Sequence, residues 1–137
     1  MNADLAVQVA IRQRLVSSVA VTDLVPESNI LDSNHRPAPR PGIILGETQI
    51  TDEGEGLERK RIRVFHTLHI LTVEPSTEVN KSIAGAVREA IRSSRLDLEE
   101  GLHAADARVN SSRTFRDPDR ETAHGVLVVD VLVQELA

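Results

Sequence analysis

The chain has 137 residues, 16 Lys or Arg against 21 Asp or Glu, a formal net charge of −5 and no cysteine. That length makes one domain over residues 1–137, large enough for a real core, and the missing cysteines exclude disulfides, thiolate metal sites and thiol catalysis. Net acidity argues against a dedicated DNA-binding module, and no run approaches the about 20 apolar residues a membrane helix needs. Asp4 and the interleaved Gln8, Arg12 and Arg14 do not read as a targeting segment, so the composition is that of a soluble, cytosolic, globular protein.

Taken in order, Ala3 to Val19 reads as a helix with two apolar ladders, Leu5 and Val9 on one side and Val7, Ile11 and Leu15 on another. Val21 to Val25 adds a helical turn stopped by Pro26, and Asn29 to Asp32 suits a short strand. Pro37, Pro39 and Pro41 make Ser33 to Pro41 a loop. Gly42 to Thr48 reads as a short apolar strand, and Gln49 to Leu57 as a flexible acidic loop carrying Asp52, Glu53 and Glu55.

Glu58 to Val73 alternates, with Ile62, Val64, Leu68 and Ile70 on one face. Pro75 suits the first position of a helix whose stripe is Val79, Ile83, Val87 and Ile91, with Arg88, Arg92 and Arg95 toward its C-terminus. Leu96 to Leu98 with Leu102 to His103 reads as a short hairpin, Ala104 to Arg116 as a strand of weak amphipathy, and Asp117-Pro118-Asp119 as a turn. Thr122 to Glu135 is the last strand. The class is α+β: an antiparallel-rich mixed sheet with two main helices packed on one face, in the order αβββαββ.

Two features ask for partners. Glu58 to Val73, if all strand, spans roughly 50 Å at about 3.3 Å per residue, more than the roughly 40 Å diameter of a domain this size. It must bend, carry a bulge or project. The last strand also has a wholly apolar face, Leu127, Val129, Val131 and Val133, while its opposite face still carries Val126, Val128 and Leu132. Two helices cover one face of such a sheet; the remainder marks a contact surface, or the sheet curls on itself.

Chemistry is sparse. His66 and His69 sit three apart on a strand and point to opposite faces, so they do not share a metal; His35, His103 and His124 make no ligand spacing either. No nucleophile elbow, phosphate loop or dinucleotide fingerprint is present, and the turn carboxylates Glu99, Glu100, Asp117 and Asp119 form no acid/base pair. The expectation is no enzyme, no cofactor and no metal. Arg59, Lys60, Arg61 and Arg63 are the one basic cluster. It suits an edge strand or subunit contact, with a nucleic-acid-binding accessory domain as the alternative.

Several stretches, in order, resemble the tail-completion proteins (tail terminators, tail-to-head joining proteins) of long-tailed phages and gene transfer agents. They are the helix around Val7, Ala10, Ile11, Arg14 and Leu15; Pro41-Gly42-Ile43-Ile44-Leu45-Gly46-Glu47; the helix with Ala84, Ala86, Val87, Arg88, Ala90 and Ile91; and Phe115-Arg116-Asp117-Pro118-Asp119 followed by His124-Gly125-Val126. The resemblance implies a non-enzymatic α+β subunit that needs no cofactor and forms a ring, commonly of six copies, on the head-proximal end of a tail tube. There it would stop tube growth and dock the head connector. Its partners would be itself, the major tail-tube protein and the connector or stopper, with DNA only in passage and no membrane. On that reading Arg59, Arg61, Arg63, Val126, Val128 and Leu132 contribute to a subunit or connector interface. Asp52, Glu53 and Glu55 line the passage, where their charge repels the DNA backbone.

Overall fold

The computed structural model describes residues 2–32, 37–53 and 60–136. Helix α1 spans Ala3–Ser17, and the Asn2 side-chain oxygen accepts from the Leu5 N–H at 3.1 Å to cap it. Its Val7, Ile11 and Leu15 ladder is buried, whereas Leu5 and Val9 face out at 53% and 48% exposure. The helix read through to Val19 breaks at Ser18, whose hydroxyl accepts from the Val21 N–H at 3.3 Å and starts the single-turn α2, Val19–Thr22. A 3-10 turn, Glu27–Asn29, then leads into strand β1, Ile30–Leu31.

The remaining elements are β2 (Gly42–Asp52), β3 (Arg61–Val73), α3 (Glu78–Arg92), β4 (Leu102–Arg116) and β5 (Thr122–Glu135). They form one five-stranded sheet in the order β1-β2-β3-β5-β4, with β1 parallel to β2 and every other pair antiparallel. The class is α+β, as expected. Val7, Ile11 and Leu15 of α1 and Ile83, Val87 and Ile91 of α3 share one aliphatic cluster with Leu68, Ile70, Leu127, Val129 and Val131 of the central strands. Both long helices therefore bury their apolar stripes against the same sheet face.

Four expectations need correction. Residues 49–52 continue β2 rather than opening a loop, because Gln49 to Asp52 pair with Phe65 to Ile62 across the hairpin. Leu96 to Leu98 joins no ladder; the turn before β4 closes with the Leu102 N–H donating to the Glu99 carbonyl at 3.1 Å, Gly101 taking φ 90°. The third helix begins at Glu78 rather than at Pro75, with Glu74 reaching forward to accept from the N–H groups of Val79 and Asn80 at 3.0 Å each. Finally, β3 is not an edge strand. It lies between β2 and β5 and pairs with β5 along its whole length in unbroken register. The long alternating run is absorbed by neighbours of similar length.

The ladder irregularities lie in the strands on either side, between Leu45 and Thr48 in β2 and at two places in β4. The β4 bulges explain its weak sequence amphipathy. Each extra residue flips the side-chain parity, so no single period runs through the strand.

One close approach fixes α3 on the sheet. Asn80 is fully buried, and its Nδ2 donates to the carbonyls of Ile70 and Ala123 at 3.0 Å each, tying the helix to β3 and β5 together. A side chain at Gly125 would collide with the Asn80 carboxamide oxygen, so this β5 position excludes any Cβ.

Candidate interaction surface

Because the helices take one face, alternate residues of the central strands are left on the other. In β5, Leu127, Val129, Val131 and Val133 are buried, while Val126, Val128 and Leu132 are only half-buried. Their ladder partners on β3 are His69, Thr67 and Arg63. Among the described residues no helix or strand packs over this face. Val126, Val128, Leu132 and Arg63 are thus brought together as one surface, with Phe65, Leu71 and Ile44 beside them. Arg61, also on β3, is exposed at its start, and Arg59 lies outside the described residues.

The polar centre of the face is Asp130, which period-2 reading of β5 passes over as an interruption. Its side chain is only 4% exposed. Arg63 Nη1 donates to its Oδ1 at 2.7 Å, and Arg108 Nε lies 3.7 Å from its Oδ2. Arg63 also donates from Nε to Glu53 Oε1 at 3.1 Å. The hydrogen bond it donates to Asp130 is the main cause holding the Arg63 guanidinium above its ordinary range, and with Asp130 and Glu53 both on it Arg63 is a paired cation rather than a free phosphate contact. That leaves Lys60 and Arg61 of the described basic cluster facing solvent.

The acidic residues separate in the same way. Asp52 is exposed at the end of β2, and the Glu53 N–H closes the hairpin onto the Arg61 carbonyl at 2.9 Å. Glu53 has part of its charge matched by Arg63. Glu55 lies outside the described residues.

Toward the opposite end of the face, His124 stacks on Phe115 with ring centroids 4.9 Å apart and meets His69 edge-on at 5.1 Å. His69 and His124 belong to different strands, and only the β3–β5 register brings them together, which sequence spacing does not encode. Surface grooves elsewhere are shallow and open. One of about 380 Å³ runs between α1 and the segment at Asp97 to Glu99, lined by Leu5, Ala6 and Val9. Among the described residues no three His, Asp or Glu side chains converge on a metal position.

Residues 9–134 match the family model described as Tail completion protein gp17. A search of curated protein sequences gave no match. Two solved structures share the fold. One is a chain from the virion of a native gene transfer agent particle, with a TM-score of 0.81 and 20% identity over 98% of this chain and 99% of that one. The other is the gp17 protein of bacteriophage SPP1, with a TM-score of 0.61 and 22% identity over 94% of this chain and 89% of that one. With the family model matched over nearly its whole length, the chain belongs to the gp17 tail completion proteins, which are structural proteins of phage-type tails and not enzymes.

Proposed function

We propose that copies of this protein close into a ring of six at the head-proximal end of a phage or gene-transfer-agent tail, assembled in the bacterial cytoplasm. The ring ends polymerisation of the major tail-tube protein and presents the surface that joins the tube to the head connector or stopper. The observation that supports self-association best is the uncovered sheet face. Val126, Val128 and Leu132 lie there on either side of Asp130, on a strand whose other side is already buried, and apolar surface of that kind favours a protein partner. A ring needs a heterologous contact in which one patch meets a different patch on the next copy. The Arg63–Asp130 pair, set between Val128 and Leu132, gives such a contact a fixed polar register.

Asp52, Glu53 and Glu55 face the passage in this reading and keep DNA from adhering in transit. Arg59, Arg61 and Arg63 flank the subunit or connector contact. Val128→Asp tests the assembly. It places a charge in the row without touching the core, so particles carrying it should show tails that are unjoined or of irregular length. Normal joined tails would refute the assignment of this face. Steeply salt-dependent duplex binding, lost on replacing Lys60 and Arg61, would favour the nucleic-acid alternative instead.

A further inference from the structure

Four side chains on the open face, from two ladder-paired strands, a bulge and a turn, line up end to end. Asp117 Oδ1 lies 2.9 Å from His124 Nδ1, His124 Nε2 lies 2.9 Å from His69 Nδ1, and His69 Nε2 lies 2.8 Å from Glu47 Oε1. Every ring nitrogen is engaged. An ionised carboxylate only accepts, so His124 Nδ1 and His69 Nε2 each carry a hydrogen. The other two nitrogens face each other, and a hydrogen bond between them needs one hydrogen more.

The count decides the state. Three N–H hydrogens on two rings is one more than two neutral imidazoles hold. With both rings neutral and both carboxylate bonds kept, two lone pairs oppose each other; with both rings charged, two N–H groups do. All three bonds form together only when the pair shares a single positive charge. A metal ion fits less well. Zinc–nitrogen bonds of about 2.0–2.1 Å in a tetrahedral site would set the nitrogens roughly 3.3 Å apart, wider than the 2.9 Å here. No third ligand converges on the point among the described residues.

We infer that His69 and His124 form a proton-binding site that holds one proton between the two rings and clasps β2, β3, β5 and the β4–β5 turn together on the open face. The backbone makes room for it. Glu47 reaches His69 from the β2 bulge, and at Gly46 of that bulge a Cβ would come within 2.9 Å of the His69 ring. The charged groups facing the pair are Glu47 from β2, Asp117 from the turn and, above the Phe115 ring at 5.4 Å, Arg113 from β4. His69 pairs with Val126 in the ladder, so the clasp sets the shape of the sheet beside the apolar row. This inference stands whether or not the protein forms a ring.

The test is a through-hydrogen-bond nitrogen–nitrogen coupling between His69 Nδ1 and His124 Nε2 in the 15N-labelled full chain. The coupling should be present in the folded wild-type chain and be lost in His124→Gln and in His69→Gln. No coupling at any pH in the folded wild-type chain overturns the proposal, even if neither variant folds. So does equimolar zinc that binds both rings at neutral pH, which would assign the position to a metal.

Discussion

Arg14 of the first helix lies across the C-terminal end of α3, its Nη1 donating to the Ala90 carbonyl at 2.7 Å. The same guanidinium reaches the Ser94 carbonyl at 3.0 Å and, through Nη2, the Arg95 carbonyl at 2.9 Å. The last carbonyls of a helix have no partner within it and carry its partial negative charge, so a cation there serves as both donor and counter-charge. The arginines of α3's own sequence were the expected complement. A residue some eighty positions earlier takes that place and locks the two helices together.

Arg14→Met should therefore destabilise the fold by about 1.5–3 kcal/mol, the range for hydrogen bonds to a charged group. Arg14→Lys should recover only part of that, since an ammonium cannot span several carbonyls as the planar guanidinium does. Urea denaturation midpoints of the three proteins check both statements.

Breaking the Arg63–Asp130 pair from one side leaves a carboxylate that is almost fully enclosed, with Arg108 at 3.7 Å as its remaining cation. Arg63→Met should cost about 2–4 kcal/mol. Arg63→Met combined with Asp130→Leu should regain most of the loss, because the surrounding face is apolar and neither charge is then stranded. A double-mutant cycle on chemical denaturation gives the coupling directly.

His66 is fully buried on the helix-covered face, and its Nε2 has no hydrogen-bond partner among the described residues. Burial lowers its pKa, with the bond to the Thr67 carbonyl opposing only in part. Below about pH 6.5 the unfolded chain protonates this imidazole while the native state still resists, so stability falls with acidification until the native pKa is passed. His66→Leu should lose less stability than wild type between neutral and mildly acidic pH. Urea midpoints at the two pH values measure the difference.

Arg120 takes φ 64° in the turn between β4 and β5, a region costly to any residue with a Cβ. The turn tolerates it because Asp119 is so well held. Its carboxylate accepts from the N–H groups of Glu121 and Thr122 and from the Thr122 hydroxyl, and these bonds bring its pKa down to about 2. Arg120→Gly should stabilise the protein by roughly 1 kcal/mol, read as a rise in melting temperature.

What the sequence made legible was set by local pattern. The stripe Val79, Ile83, Val87 and Ile91 marks α3, and the alternation of Leu127, Val129, Val131 and Val133 marks β5 and separates its buried side from its open one. Other features depend on contacts between distant segments. Gln49 to Asp52 looks like loop in composition and becomes strand because β3 is there to pair with it. The helix-terminal role of Arg14, the enclosure of Asp130 and the meeting of His69 with His124 all follow from packing and register, which no spacing along the chain encodes. The edge-strand expectation for Arg61 and Arg63 failed for the same reason. Charged residues on a strand suit an edge, but here Asp130 across the ladder neutralises Arg63 in the middle of a sheet.

Ring closure requires that neighbouring copies cover the open face at the point where tail meets head. Cryo-electron microscopy of intact particles at that junction tests it most directly. It should show six copies of this chain around a central channel, with Val126, Val128 and Leu132 of each buried against another protein subunit. A junction that lacks this chain, or one in which that row faces solvent in every copy, would contradict it.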